Sequence, residues 1–164
     1  MDTKVETQVE TQVAVPEGEK DLPALSARVE AEVFGRKVLF IKISDNIQYW
    51  RSFPVDFTIE AARAENPGEE DAMLYAALST PVPPYAEIDA EALKLAEVMA
   101  ERGFWMNLKY AYTPGYGCWV NFDHQGCSDP NPLYRGHGDK IAEAICKAAL
   151  AVVNNLITSR SFEE

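Results

Sequence analysis

Cysteine, histidine and basic residues are all scarce in this chain. Its 164 residues include 3 cysteines and 2 histidines, and 15 Lys and Arg stand against 26 Asp and Glu, so the formal net charge is −11. A small and odd number of cysteines argues against a disulfide framework. The acidic excess repels a DNA or RNA backbone, and no local cluster of Lys and Arg offsets it. We therefore expect no nucleic-acid polymer as a partner.

Long hydrophobic runs are missing as well. No stretch of about eighteen apolar residues occurs, and the N-terminus "MDTKVETQVETQV" is polar where a secretory signal would be basic and then apolar. From these two absences we expect no membrane partner and a cytoplasmic location, in which reduced thiols are normal.

The hydrophobic content of 47% is enough for one core in a single domain of this length. We interpret residues 1–20, which contain the repeat "VETQVETQ", as a flexible N-terminal tail, with an edge strand as the alternative. Residues 21–160 then form the predicted domain, with an insertion at about 44–84.

The spacing of apolar residues predicts the order of elements from residue 22 onward. Helical periodicity predicts helices at 22–34 and near 59–64 and 69–78, and a β-branched, apolar run predicts a strand at 37–43. Further along the chain, Asp89 and Asp139 are each predicted to cap a helix. Between these two helices, "FWMNLKYAY" and "CWVNFDH" are predicted to form a hairpin. Helices beside an antiparallel hairpin predict an α+β fold, specifically an α/β/α sandwich whose antiparallel sheet is flanked by helices.

The segment 44–84 has two interpretations. Its irregular pattern is typical of a surface loop with local helix. Long loops also hold functional residues, so the segment is a candidate wall over a pocket, carrying Tyr49, Trp50, Arg51 and Phe53.

The stretch from Cys118 onward contains the residue types of a zinc site. Cys118, His124, Cys127 and His137 have suitable ligand atoms, but their spacing is not a common zinc pattern. Alternation in the hairpin also points Cys118 toward the core. A nucleophile formed by Cys127 with either histidine would need an orienting third group, which the sequence does not display. We predict no metal, no cofactor and no catalytic residues, with Cys146 packed as a small hydrophobic residue.

The motif "YRGHGDKI" is compatible with an anion site. Arg135, Gly136 and His137 precede a helix, and glycines allow backbone N–H groups to face a phosphate. The alternative is a plain turn, because Asp139 would itself cap the helix and repel an anion.

Aromatic residues concentrate around the hairpin and offer stacking surfaces. They are Trp105, Tyr110, Tyr112, Tyr116 and Trp119, and cross-strand packing or an oligomer interface is their alternative use. The predicted ligand-binding set is Arg135, Gly136 and His137, with Arg51 or Lys109 as a second charge and Trp50, Tyr112 or Trp119 as the stacking surface.

Several blocks of the chain resemble one known family. "LPALSARVEAEVFG", "VPPYAEIDAEALKLAEVMAERGF", the hairpin ending in "CWVNF" and, most specifically, "EAICKAAL" are similar to successive blocks of the phage ABA sandwich domain family. The resemblance covers roughly residues 22–152 in scattered blocks, and segment 44–78 departs from it, which indicates a specialised member. It implies an α/β/α layering and a phage or prophage origin, and it transfers no catalytic residue.

Three functions stay open at this point. The first is a phage-encoded anti-defence sponge, a non-enzymatic homo-oligomer in the host cytoplasm that captures a small anionic, nucleotide-derived immune signal; this idea is an analogy to other small phage proteins. The second is an acidic interaction module that inhibits a host protein, favoured by the net charge of −11. The third is a small hydrolase, which lacks a visible acid, base or metal set.

Overall fold

The structure is a computed structural model that describes residues 8–10, 21–44, 47–110, 117–124 and 134–161. For residues 8–10, 43–44, 47–48, 110 and 157–161 this description is limited to the backbone. The elements follow in the order β1 (Gln8–Glu10), α1 (Leu22–Glu32), β2 (Lys37–Ser44), β3 (Ile47–Phe53), α2 (Ile59–Glu65), α3 (Asp71–Leu78), β4 (Thr80–Pro81), α4 (Asp89–Glu101), β5 (Phe104–Tyr110), β6 (Cys118–His124), β7 (Arg135–Gly138) and α5 (Ile141–Ser161).

The mixed α+β fold with helices flanking antiparallel sheet is confirmed. The described strands form two sheets, one in the order β1-β2-β3-β4 and one in the order β5-β6-β7, and every pairing is antiparallel. Helix α1 contacts β2 and β3 as well as α5, so it connects the two sheets.

The first sheet corrects two details of the sequence analysis. Strand β3 lies inside the segment predicted as an insertion, and it pairs along β2 in the middle of the sheet. Gln8–Glu10, placed in the predicted tail, pairs with β2 as an edge strand. Strand β3 was missed because its residues alternate too weakly between polar and apolar to stand out from a loop, whereas an edge strand was already the alternative interpretation of the tail.

Each face of the first sheet packs on a helical layer. On one face, Leu39, Ile41 and Phe53 are buried in a cluster with Tyr75 of α3. On the other face, Ser52 hydrogen-bonds to Glu30 of α1. The two short helices α2 and α3 therefore cover a sheet face, which explains why the segment 54–78 carries helix signals.

The second sheet buries one face against α1, α4 and α5. Val120 and Phe122 of β6 are fully buried with Leu95 of α4 and Ile145 and Val152 of α5. The predicted hairpin of β5 and β6 is confirmed, in register from Phe104 opposite His124 to Tyr110 opposite Cys118. Side chains at alternate positions must therefore point to the opposite face of this sheet.

The motif predicted as a phosphate-binding turn is a strand. Residues 135–138 form β7, which pairs with β6 so that Trp119 lies opposite His137 and Val120 opposite Gly136. Helix α5 begins at Ile141, two residues after Asp139, and the backbone N–H of Asp139 donates to the Glu143 carboxylate at 3.1 Å. Asp89, predicted to cap α4, is the first residue of that helix, and Ile88 occupies the cap position.

Within the described part of the chain, no helix has the length and apolar character needed to cross a membrane.

Candidate functional site

The second sheet has one face that no described helix covers. We call it the outer sheet face; its side chains, which alternate with the buried ones along the three strands, are Trp105, Asn107, Lys109, Trp119, Asn121, Asp123, Arg135 and His137. Trp105 is 59% exposed and Trp119 is 45% exposed, whereas Val120 between the outer positions of β6 is fully buried. Two large aromatic side chains thus stand on a surface that is otherwise polar.

Trp119 is the centre of the outer sheet face. The His137 ring lies across the strand pair with its centroid 4.5 Å from that of Trp119, at an interplanar angle of 48°. The Arg135 guanidinium carbon is 5.8 Å from the Trp119 ring centroid, within the range of a cation–π interaction. On its other side, Trp119 is paired in register with Lys109 of β5. An exposed indole is therefore flanked by a lysine, an arginine and an imidazole side chain.

An amide and carboxylate cluster lies beside this indole. The Asp123 carboxylate accepts hydrogen bonds from the side-chain amides of both Asn107 and Asn121. Asn121 is only 9% exposed, and its Oδ1 is buried with no hydrogen-bond donor among the described residues. A buried acceptor without a hydrogen-bond donor costs about 1–3 kcal/mol of stability, so a side chain or ligand that donates to Asn121 Oδ1 would recover this free energy. Arg135 lies directly opposite Asn121 in the register and carries donors of the required kind.

Three of these residues were missed as site residues in the sequence analysis. Asn107, Asn121 and Asp123 are ordinary polar residues when taken singly, and no motif contains them. The available signal was the alternation that places them on the same face as Trp119, combined with the pairing register, which only the structure supplies.

The structure does not bring the whole predicted ligand-binding set together. Arg135, His137, Lys109 and Trp119 share the outer sheet face, whereas Trp50 and Arg51 belong to the first sheet. Arg51 is already occupied, since its Nε donates to Ser79 Oγ at 2.7 Å and its Nη2 to the Ser79 carbonyl at 3.0 Å. Tyr112 lies outside the described residues.

Gly136 has a different role from the one predicted for it. It lies on the buried side of β7, where a Cβ would overlap backbone atoms of Ala144 and Ala148 in α5. The glycine therefore permits close packing of a strand on a helix, and its side of the strand faces away from the outer sheet face.

The four residues considered for zinc are not assembled around one point. Cys118 is buried on the inner face, where its Sγ donates to the Gly138 carbonyl at 3.5 Å, while His137 lies on the opposite face against Trp119. His124 stands at the end of β6 with its ring edge-on to Phe104. Cys127 lies outside the described residues, and among those described no group of three potential ligands is close enough to hold a metal.

Burial makes the two described thiols poor nucleophiles. It raises the pKa of Cys146 to about 12 and also raises the pKa of Cys118, and the nearby Glu143 carboxylate adds to both effects. Because the thiolate is the reactive form, these sulfurs remain protonated at neutral pH. Cys146 packs in the core as predicted.

Comparison of the chain with family models, with curated proteins and with solved structures finds no match. The resemblance to the phage ABA sandwich domain family stays a prediction, and the geometry of the outer sheet face is the main guide to function.

Proposed function

We propose that the chain is a non-enzymatic binding protein that sequesters a small anionic, nucleotide-derived ligand on its outer sheet face. The observation that supports this best is the position of the exposed Trp119 between Lys109 and the Arg135 and His137 pair. An exposed indole offers a flat surface for a base, and adjacent cations offer hydrogen bonds and charge for a phosphate. A stacking surface for the base and cations for the phosphate therefore lie on neighbouring strands of one sheet face.

Magnitudes favour this ligand class over a purely apolar one. Stacking on an aromatic side chain contributes about 1–3 kcal/mol per base. A guanidinium that holds a phosphate adds a charge-assisted hydrogen bond, about 1.5–3 kcal/mol. The chain as a whole is acidic, with a formal charge of −11. The negative field of the whole chain repels an anionic ligand, and Lys109 and Arg135 attract it only locally. A small anion that contacts these two side chains alone is therefore favoured over a long anionic polymer.

The chemistry of the face supports binding more than catalysis. Both oxygens of Asp123 accept hydrogen bonds from asparagine amides, so this carboxylate is held as an acceptor. The described cysteines are buried on the other side of the sheet with raised pKa values. The groups that remain on the face are cationic, imidazole and indole side chains, which can orient and hold an anionic ligand.

The biological part of the proposal rests on the resemblance to phage proteins. A phage-encoded protein that holds a nucleotide-derived signal without cleaving it would act as an anti-defence sponge in the host cytoplasm. Its ligand would be a host immune signal with at least one phosphate and one base, as required by the cations and the indole.

A homo-oligomer fits the same surface. Trp105 and Trp119, both on the outer sheet face, are about half exposed. A second copy of the chain placed over these side chains would remove apolar area from water and close the site around its ligand. Light scattering at micromolar concentration is expected to give a multiple of the 18.3 kDa chain mass.

The second candidate function is an acidic module that docks on a host protein. The same exposed Trp105 supports it, because tryptophan is a frequent anchor at protein interfaces. On this alternative the outer sheet face would contact a protein and show no affinity for nucleotides.

Calorimetric titration with cyclic dinucleotides, cyclic trinucleotides and ADP-ribose derivatives separates these functions. After binding, heat denaturation and chromatography of the released ligand show whether it is intact. Intact release supports sequestration, and a cleaved product supports a hydrolase. Absence of binding to every member of the panel contradicts the nucleotide proposal and leaves the acidic module as the better function.

A further inference from the structure

A groove lies against the first sheet, and none of its lining residues belongs to the second sheet. Its walls are the start of α1 with Asp21 and Pro23, the rings of Phe40 and Trp50 on β2 and β3, and the segment before α4 with Pro84 and Glu87. The volume is about 440 Å³, which lies within the usual range of about 300–1,000 Å³ for small-molecule sites. We call it the α1 groove.

The aromatic wall of the α1 groove is open to a ligand. Phe40 and Trp50 are a cross-strand pair with ring centroids 4.7 Å apart and an interplanar angle of 49°, and both are half-buried. The cation–π contacts among the described residues involve Phe57, Tyr49 and Trp119, so no described Lys or Arg lies over either ring of this pair. The faces of the two rings are thus not occupied by a cation of the described chain.

The described residues that line the α1 groove carry a net negative charge. Asp21 and Glu87 contribute carboxylates, and no Lys or Arg occurs among the described residues that line it. Asp21 Oδ1 accepts the backbone N–H of Ala24 at 3.0 Å as the cap of α1, and no described donor bonds to its second oxygen. Glu87 is exposed and has no ion-pair partner among the described residues.

The N-terminus of α1 opposes this negative charge only weakly. A helix N-terminus carries the equivalent of about half a positive charge, which is less than the two full negative charges of Asp21 and Glu87. Among the described lining residues, the carboxylates of Asp21 and Glu87 therefore determine the sign of the charge. An anionic nucleotide, which the sequence analysis had assigned to Trp50, is repelled here, whereas a cation gains from both the carboxylates and the ring faces.

We propose that the α1 groove binds a small organic cation, an alkylated or aliphatic ammonium. Its positively charged nitrogen lies against the rings of Phe40 and Trp50, and Asp21 and Glu87 supply the counter-charge. This site is independent of the proposed nucleotide site, because none of its residues belongs to the outer sheet face.

Tryptophan fluorescence gives a direct test. The chain has 3 tryptophans, Trp50, Trp105 and Trp119, so the double variant W105F/W119F leaves Trp50 as the single fluorescent reporter. The probes are choline, spermidine and 3,3-dimethyl-1-butanol, the neutral isostere of choline. We expect saturable changes in Trp50 emission with an ammonium probe and a response at least about tenfold weaker with the neutral isostere.

Two charge-removing variants complete the test. Asp21→Asn keeps the helix cap, since asparagine caps as well as aspartate, and Glu87→Gln changes an exposed side chain. Combining them in the single-tryptophan background is expected to weaken ammonium binding by about tenfold or more while the thermal unfolding temperature is retained. Glu69→Gln, an exposed carboxylate in the turn after α2, is the matched control and is expected to leave binding unchanged.

Three outcomes would overturn the proposal. They are no saturable change in Trp50 emission with choline or spermidine, equal binding of choline and its neutral isostere, or unchanged binding in the Asp21→Asn/Glu87→Gln variant. Each of these results is separate from the nucleotide proposal, because nucleotide titrations of the chain that retains Trp105 and Trp119 test that site independently.

Discussion

Gly136 of β7 lies against the backbone of Ala144 in α5, so closely that a Cβ on the glycine would overlap the Ala144 carbonyl oxygen. The same Cβ would overlap the backbone N of Ala148 one turn later. Backbone atoms of a helix cannot rotate away as a flexible side chain can. The strand and the helix are therefore held together at a distance that only glycine allows.

Gly136→Ala is expected to destabilise the protein by about 1–3 kcal/mol or more, because strand β7 must move away from α5 to accept the methyl group. Denaturant unfolding followed by circular dichroism measures the change. Gly68→Ala is the control: it lies in the turn between α2 and α3 with a φ of +91° and no atom within 4 Å of the added Cβ, so it introduces backbone strain without overlap. Equal stability of Gly136→Ala and the wild type would show that the contact is looser than described.

Glu30 is a buried carboxylate that connects three parts of the chain. It is 7% exposed, and it accepts hydrogen bonds from Ser52 of β3 at 2.8 Å and from the Tyr85 hydroxyl at 2.9 Å. Glu30→Ala removes the acceptor for both hydroxyls, and we expect a loss of about 2–5 kcal/mol in the free energy of unfolding.

Glu32→Ala, two residues further along α1, is the matched control for this prediction. Glu32 pairs with Arg28 at 3.2 Å on the helix surface, and an exposed pair of this kind contributes at most about 1 kcal/mol. Chemical denaturation of both variants gives the comparison. A similar loss in the two would contradict a connecting role for Glu30.

The buried thiols are expected to resist modification in the folded protein. With a pKa raised to about 12, only about one ten-thousandth of Cys146 is thiolate at pH 8. In the variant Cys127→Ser, which keeps Cys118 and Cys146, a disulfide reagent at pH 8 should react slowly before denaturant is added and with two thiols afterwards. Rapid reaction of either thiol in the native protein would show that the core around α5 and the second sheet opens under native conditions.

Stability is expected to fall as the pH rises from about 9 to about 12. In the unfolded chain the Cys146 thiol ionises near its ordinary pKa of 9.0, whereas the folded protein holds the proton until about pH 12. Because the pKa is higher in the folded protein than in the unfolded chain, the stabilisation is fully present below pH 9. Between about pH 9 and 12 the free energy of unfolding falls by up to about 1.4 kcal/mol per pH unit. Cys146→Ala should reduce the slope of unfolding free energy against pH, while Cys127→Ser provides the comparison.

The hairpin and the long helices could be predicted from sequence because their signals are local. Ala92, Leu95 and Met99 recur at helical spacing and are buried, and the alternation in "CWVNF" correctly placed Cys118, Val120 and Phe122 in the core. The spacing of buried residues, every 3.6 residues in a helix and every 2 in a strand, depends on the backbone geometry of that element alone. It can therefore be recognised without knowing which other element it packs against.

The positions of β3 and β7 could not be predicted because their pairing is long-range. The strand "IQYWRSF" alternates too weakly to stand out from a loop, and it becomes central only through its register with β2. In "RGHG" the glycines suggested a turn, but their reason is the helix α5 that packs against them. The candidate site was only half recovered for the same cause, since Trp119, Arg135 and Lys109 meet through register while Trp50 and Arg51 lie in another sheet.

The proposed nucleotide site predicts different effects for its members. In a Trp50→Phe variant the two remaining tryptophans, Trp105 and Trp119, both lie on the outer sheet face, so a change in tryptophan fluorescence on titration with a nucleotide reports binding at that face. Trp119→Ala is expected to weaken binding of a nucleotide ligand by about 1–3 kcal/mol through lost stacking. Arg135→Ala is expected to weaken it by about tenfold to a hundredfold, since a charge-assisted hydrogen bond to phosphate is lost.

Arg135→Lys separates the geometry of the guanidinium from its charge. Lysine keeps the positive charge but cannot form two parallel hydrogen bonds to one phosphate, so affinity should fall between that of the wild type and Arg135→Ala. Arg63→Ala, on the surface of α2 in an exposed pair with Asp71, is the matched control and should leave binding unchanged. Calorimetry measures the affinities, and thermal unfolding checks that each variant is folded, as expected for exposed side chains. If Arg135→Ala and Arg63→Ala bind a nucleotide equally well, the ligand is held elsewhere and the outer sheet face is left as a protein-contact surface.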